Sequence, residues 1–491
     1  MLNSAIVRQI LCNEQDIYAI RQLGFQSLDV IREIFSSFDD VSAPNSCANT
    51  ALMLAAKTCF CGSELLRDNT IETMKLLLSH GADVNASGEN GRTPLMLAVL
   101  GWSCEINDHW HEIEWKEQLR GIGEWKQQEL TAVNTDDPSA VKFLLDMGAD
   151  INARDEDGNT ALHFAARIPY RDLQTPSKSR PVVELLIERG ADLNAVNFRG
   201  IAPLGNAVIY DYFTSRILVR HGADVHRAEI IARAAAFGTA GTVRMLLAHG
   251  ADVNLRYIDG QTALIFSCAG REYIDVDKIR ILIKAGADLN AQDDFGKTAL
   301  IYATISEAAN IFRREFEILS ELLKNGADAN IRDNDGKTAL IHAAERGNTQ
   351  NITQLLENGA DANIQDNDGK TAIMYTFICH GCRVSDIAEL ISHGADVNLQ
   401  DKDGNTVLIQ IADMPDLFDG SPDFLAKKVM HRKFERIMSY LRRRHKAVQL
   451  ILAAGADVNI RNSEGITALA AAQRHNTPEI ADLLMKYGAE A

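Results

Sequence analysis

Apolar residues along this chain fall into short runs set in pairs, with polar turns between them at regular intervals. The stretch around 334–363 shows the unit. Asn334-Asp335-Gly336-Lys337 is a turn signal. Thr338 stands directly before the apolar run Ala339-Leu340-Ile341-His342-Ala343-Ala344. A threonine there predicts a helix start, because its hydroxyl can accept a backbone N–H of the first turn. Gly347 interrupts the run, Ile352-Thr353-Gln354-Leu355-Leu356 begins a second one, and Gly359 follows it closely. A glycine just past the last apolar pair can take the left-handed conformation that closes a helix. The unit therefore reads turn, short helix, turn, helix.

One pentad punctuates the chain: Gly-Ala-Asp, an apolar residue, then Asn. It begins at Gly81, Gly148, Gly190, Gly250, Gly286, Gly326, Gly359, Gly394 and Gly455. A variant runs from Gly222 to His226, and a shortened copy, Gly488-Ala489-Glu490, stands near the end. The shortest regular spacing is 33 residues, from Gly326 to Gly359 and from Gly455 to Gly488. A fixed period of this size is the mark of a repeat architecture. Helices this short are not stable alone in water, so each must bury its apolar face against neighbouring units.

The repeated D-x-x-G-x-T-P-L-H-x-A-A pattern, followed by L-L-x-x-G-A-D-V-N, resembles the ankyrin repeat. It occurs as Gly91-Arg92-Thr93-Pro94-Leu95, as Asp157-Gly158-Asn159-Thr160-Ala161-Leu162-His163, and as Gly465-Ile466-Thr467-Ala468-Leu469. The resemblance implies an all-α ankyrin-repeat solenoid of about eleven helix-turn-helix units, with hairpin-like fingers projecting from one edge. It also implies protein binding through finger tips and inner helices. The repeats cover about residues 45–491. Residues 1–44 carry apolar helical periodicity, as in Ile6, Ile10, Leu28, Ile31 and Phe35, with no finger motif ahead of it. A solenoid needs its first repeat covered, which assigns this segment an N-terminal helical cap.

Departures from the repeat are where a particular function could lie. From the helix-start threonine to the closing glycine is 21 positions in the template, against 55 from Thr93 to Gly148 and 49 from Thr406 to Gly455. This extra length predicts long insertions near 101–136 and 412–445, between the two helices of their repeats and on one edge of the stack. The first holds all four tryptophans, Trp102, Trp110, Trp115 and Trp125. Two readings stand: the rings pin a long loop onto its own repeat, or they anchor a partner, as buried tryptophans often do. The second insertion begins acidic and turns basic toward Arg442, Arg443 and Arg444, with Phe434, Ile437, Met438 and Leu441 at helical spacing. It reads as an amphipathic helix resting on the stack, basic face outward. That helix is either simply solvated or a contact for an acidic protein, an anionic lipid surface or RNA. The fifth repeat shows the opposite anomaly. Only 7 positions separate Gly222 from Glu229, where the template has 12. The shortened finger leaves a gap among neighbours carrying Phe198, Tyr257 and Phe295, either a notch for a partner segment or a bend.

Composition narrows the function further. The 491 residues are 46% hydrophobic and 24% charged, with a formal net charge of −17. That balance argues against general nucleic-acid affinity and for a basic partner. Eight cysteines at 12, 47, 59, 61, 104, 268, 379 and 382 are too sparse for a disulfide framework and fit free thiols in a reducing compartment. No secretory signal and no run of apolar residues long enough for a membrane span is visible, so the expected location is cytoplasmic. Gly-Lys-Thr occurs at Gly296, Gly336 and Gly369, but Ala291, Ile331 and Ile364 stand where a phosphate loop needs glycine. Cys379-His380-Gly381-Cys382 has ligand-like spacing without a second pair, and Cys104, His109, His111, Glu112 and Glu114 lack a helical ligand arrangement. The expectation is a monomeric, non-enzymatic protein-interaction module without cofactor or metal: a scaffold, an inhibitor or a neutralising partner. The alternative is a secreted effector or enzyme with a site in the insertions.

Overall fold

In six repeats the first helix begins at one hydroxyl. The Oγ1 atoms of Thr93, Thr262, Thr298, Thr338, Thr406 and Thr467 accept the backbone N–H three residues on, at 3.2–3.4 Å. Each thus satisfies a donor that the first turn leaves unpaired. The computed structural model describes residues 51–58, 64–79, 81–100, 138–167, 180–269, 275–306, 315–378, 383–414 and 430–490. The tryptophan-rich insertion and the segment 1–44 lie outside the described residues, as do Cys379, His380 and Cys382.

Two units, Met1–Asp252 and Val253–Ala491, are distinguished. The first holds α1 (Ala51–Thr58), α2 (Glu64–Ser79), α3 (Pro94–Leu100), α4 (Ser139–Asp146), α5 (Ala161–Arg167), α6 (Pro181–Glu188), α7 (Pro203–Tyr210), α8 (Tyr212–Arg220), α9 (Ala228–Phe237) and α10 (Ala240–Ala248). The second holds α11 (Ala263–Cys268), α12 (Val276–Lys284), α13 (Ala299–Ile305), α14 (Glu315–Lys324), α15 (Ala339–Arg346) and α16 (Thr349–Glu357). It continues with α17 (Ala372–Ile378), α18 (Val384–Ser392), α19 (Val407–Ala412), α20 (Met430–Ala453), α21 (Ala468–Arg474) and α22 (Pro478–Lys486). Among the described residues there are helices, turns and two single 3-10 turns, and no strand.

Helices pair within a repeat and stack in two layers between repeats. In the first unit α1, α3, α5, α7 and α9 pack in series; in the second α11, α13, α15, α17, α19 and α21 do the same. Second helices form the other layer, with α12, α14, α16, α18, α20 and α22 in succession. Leu340, Ile341, Ile352 and Leu355 are buried between these layers, so a repeat's core is completed only by its neighbours.

The pentad supplies a polar seam along the same stack. Asn330 Oδ1 accepts the N–H of Asp361 at 2.7 Å while its Nδ2 donates to the Gly359 carbonyl at 3.1 Å. Asn363 repeats this with Asp396 and Gly394, and Asn398 with Asp457 and Gly455. Each asparagine thus fixes the register of the next repeat, which explains why the pentad ends in that residue. His226 takes its place in the fifth repeat.

The second long insertion departs from expectation. Instead of a separate helix lying on the stack, its basic half is the front of α20, which runs without interruption through 24 residues to Ala453. At 1.5 Å per residue that helix is about 36 Å long. Its last turns, with buried Ala447, Val448 and Ile451, fill the ordinary second-helix place.

Candidate interaction surface

Five of the fingers are turns built on one buried acid, Asp155, Asp293, Asp333, Asp366 or Asp401. Asp333 Oδ1 accepts the N–H groups of Asp335 and Lys337 at 3.0 and 2.8 Å, and its Oδ2 is 2.8 Å from His342 Nε2 on α15. The same arrangement recurs with different donors nine residues on. Tyr302 reaches Asp293 at 2.7 Å, Tyr375 reaches Asp366 at 2.5 Å, and Gln410 reaches Asp401 at 2.8 Å. A carboxylate that accepts turn amides on one side and a helix side chain on the other locks the finger to its own repeat. Burial pushes the Asp333 carboxyl up, but the His342 hydrogen bond and the turn amides outweigh it and leave it below its ordinary value. In the third repeat Phe164 replaces that donor, and burial wins: the Asp155 carboxyl is raised despite its bonds from Asn159. His163 is driven down to about 4, mainly by burial, and neutral it lies 2.9 Å from Thr160 Oγ1 and 3.0 Å from the Ile201 carbonyl.

Fingers are also tied to one another. Phe198 N–H donates to Asp157 O at 2.9 Å in the first unit. In the second, Asp294 N–H donates to Asp259 O, Asn334 N–H to Phe295 O, Asn367 N–H to Asp335 O and Lys402 N–H to Asp368 O, at 2.9–3.0 Å. These close approaches need glycine. A Cβ on Gly296, whose φ is +73°, would come within 2.7 Å of the Asn334 backbone nitrogen.

On these rigid fingers the expected contact residues fare differently. Phe198 is 76% exposed and Phe295 51% exposed. Tyr257 is half-buried and turns its ring toward Phe266, with centroids 6.3 Å apart. Phe198 belongs to the first unit and Tyr257 and Phe295 to the second. The shortened fifth finger is filled from within. Arg227 Nη2 donates to the Gly200 carbonyl of the preceding finger at 2.9 Å, and its Nε pairs with the Glu229 carboxylate. Glu229, expected at the helix-start position, instead lies in the first turn of α9, which begins at Ala228. Arg227 was missed because nothing local marks it; its role depends on the neighbouring finger.

The three consecutive arginines of α20 divide. Arg442 and Arg443 are exposed. Arg444 is only 1% exposed and donates to the carbonyls of Ile411, Ala412 and Met414 at 2.6–3.3 Å. The expectation of an outward basic run is therefore corrected at Arg444: its guanidinium satisfies the carbonyls that end α19 and is not offered to a partner. Trp102, Trp110, Trp115 and Trp125 lie outside the described residues. Among the described residues no group of three or more His, Cys, Asp or Glu is placed to hold a metal ion, and no helix is long and apolar enough to cross a membrane. Cys268 is a buried free thiol that burial pushes up to about 12.

Stacked helix pairs with backbone-linked fingers define an α-helical repeat protein. A family model described as ankyrin repeats in three copies matches residues 6–106, 130–229, 231–314 and 305–401. That is well over half of the sequence, and the chain belongs to the ankyrin-repeat family. Its first matched segment starts inside the stretch expected to be a separate cap. An ankyrin repeat protein of Fowlpox virus (strain NVSL) is 27% identical over 155 residues, covering 32% of this chain and 33% of that protein. An ankyrin repeat protein of Vaccinia virus (strain Ankara) is 29% identical over 154 residues, covering 27% and 26%. Serine/threonine-protein kinase 12 of Arabidopsis thaliana is 37% identical over 91 residues, 18% of either chain. The matches thus span about a third or less of these relatives' own length.

Proposed function

We propose that this chain is a non-enzymatic protein-interaction module that acts by occupying a partner, as a scaffold, an inhibitor or a neutralising partner. Ankyrin repeats generally mediate protein–protein interaction. The observation that carries the reading here is the exposure of Phe198 and Phe295 on fingers whose backbones are already fixed. A large rigid ring on a preformed surface binds at little conformational cost. Trp102, Trp110, Trp115 and Trp125, with the exposed Arg442 and Arg443, extend the same reading to the insertions. The setting proposed is cytoplasmic, with the chain a monomer before it meets its partner.

The test is affinity purification of the tagged full chain beside Phe198→Ala and Phe295→Ala, with quantitative mass spectrometry of retained proteins. A partner held by the unaltered chain and lost from one of these variants is expected. Both rings being exposed, the urea midpoints should correspond to stability changes within about 0.5 kcal/mol. No protein retained specifically by the unaltered chain would end this reading.

A further inference from the structure

The second unit carries a row of side chains that the fold itself does not use. Counting from the residue that opens each finger's turn, which is Tyr257, Asp293, Asp333, Asp366, Asp401 or Asn462, the third position holds Asp259, Phe295, Asp335, Asp368, Asp403 and Glu464 in successive repeats. All six are exposed, and no hydrogen bond or ion pair of the described residues engages the side chains of Phe295, Asp335, Asp368 or Asp403. The row is acidic except at Phe295; on the preceding finger Ile258, next to Asp259 whose carbonyl accepts the Asp294 N–H at 2.9 Å, is 41% exposed. Two arginines on these fingers are turned to internal acceptors. Arg256 donates to the Gln292 carbonyl, and Arg332 to the Gly336 carbonyl and Asn367 Oδ1. Lys402 is exposed and sits one residue before Asp403.

We infer that this row receives an extended basic segment of a partner protein, with one apolar side chain seated on Ile258 and Phe295 and lysines or arginines facing Asp335, Asp368 and Asp403. The inference rests on the interaction-module reading and names the chemistry of the partner. Three observations support it. First, the inter-finger backbone bonds hold the carboxylates in fixed succession, so a bound segment does not have to order them. Second, packed helix layers repeat at roughly 10 Å and an extended chain rises about 3.3 Å per residue. Every third residue of such a segment therefore meets the next finger. Third, like charges set in a line with no internal counter-ion favour a cation, in a protein whose formal net charge is −17. The apolar pair at one end supplies the register that charge alone would leave free to slide.

The experiment uses the full chain and a fluorescent peptide with one leucine followed by lysines at every third position, serine and threonine between. A control peptide has the same composition with its lysines contiguous. By fluorescence anisotropy the spaced peptide should bind more tightly than the control. Affinity should fall about tenfold in the Asp335→Asn/Asp368→Asn double variant, with a shallower salt dependence. Phe295→Ala should weaken the leucine peptide but leave one with serine in place of leucine unaffected. Equal affinity for the two lysine arrangements, unchanged binding to the double variant, or no binding to the unaltered chain each overturns the inference. Failure here is separable from failure of the broader reading. A captured partner that holds the double variant as tightly as the unaltered chain preserves the interaction module and removes the acidic row. If neither a partner nor the peptide binds, both readings fall.

Discussion

Replacing Arg444 with methionine should unseat the junction between α19 and α20, while the same change at Arg443 should be nearly silent. The structure supplies the magnitude. The guanidinium donates to Ile411 O at 3.0 and 2.8 Å, to Ala412 O at 3.3 Å and to Met414 O at 2.6 Å. Met414 is half-buried, so water can replace that bond, but Ile411 and Ala412 are buried and water cannot reach them freely. A charged hydrogen bond is worth about 1.5–3 kcal/mol net, and an orphaned buried acceptor costs about 1–3 kcal/mol. Two such acceptors give about 2–6 kcal/mol. Relief from burying a cation offsets part of that, leaving about 2–4 kcal/mol. Arg443 is exposed and donates to the Ser439 carbonyl of its own helix at 3.3 Å; its loss should stay within about 0.5 kcal/mol. Because repeat arrays need not unfold in one step, the assay should be local: hydrogen exchange of the α19 and α20 amides beside the urea transition. Arg444→Met should raise exchange by roughly two orders of magnitude there. A cost below about 1 kcal/mol, or parity between the two variants, would refute the reasoning that burial distinguishes these neighbours.

Two further outcomes follow from the fingers. The lowered Asp333 carboxyl contributes stability that is present above its unfolded value near 3.9 and is lost as pH falls through the still lower folded value. His342→Phe, which copies Phe164, should therefore lower the urea midpoint at pH 7 by more than it does near pH 3. His342→Gln should keep much of the stability, since Gln410 makes the equivalent bond to Asp401; a deficit for His342→Phe that does not shrink on acidification would contradict the assignment. Gly296→Ala should destabilise by more than about 1 kcal/mol, from its positive φ and the approach of Asn334. The check is thermal unfolding against Gly286→Ala, whose φ is also positive but whose added Cβ meets nothing within 4 Å; an equal effect at both would mean the contact between fingers is unimportant.

What could be read from the chain alone was whatever its local chemistry enforces. Thr338 ahead of an apolar run starts a helix wherever it stands, and Gly347 and Gly359 follow helix ends with φ values of 64° and 88°. The pentad announced a period, and the period required partners for each helix, so an all-α repeat stack was legible without coordinates. The side chains that decide the surface were not, because their fate depends on residues a repeat or more away. Arg442, Arg443 and Arg444 are indistinguishable as letters, but successive residues of a helix point about 100° apart, and only the ending of α19 determines which of them is buried. Arg227 fills a shortened finger because Gly200 lies within reach. Tyr257 and Phe295 looked alike as turn aromatics, yet one ring folds toward Phe266 and the other stays in solvent. Helix starts and turns are settled within a few bonds of the residue that specifies them; exposure is settled by packing across repeats, which sequence spacing does not encode.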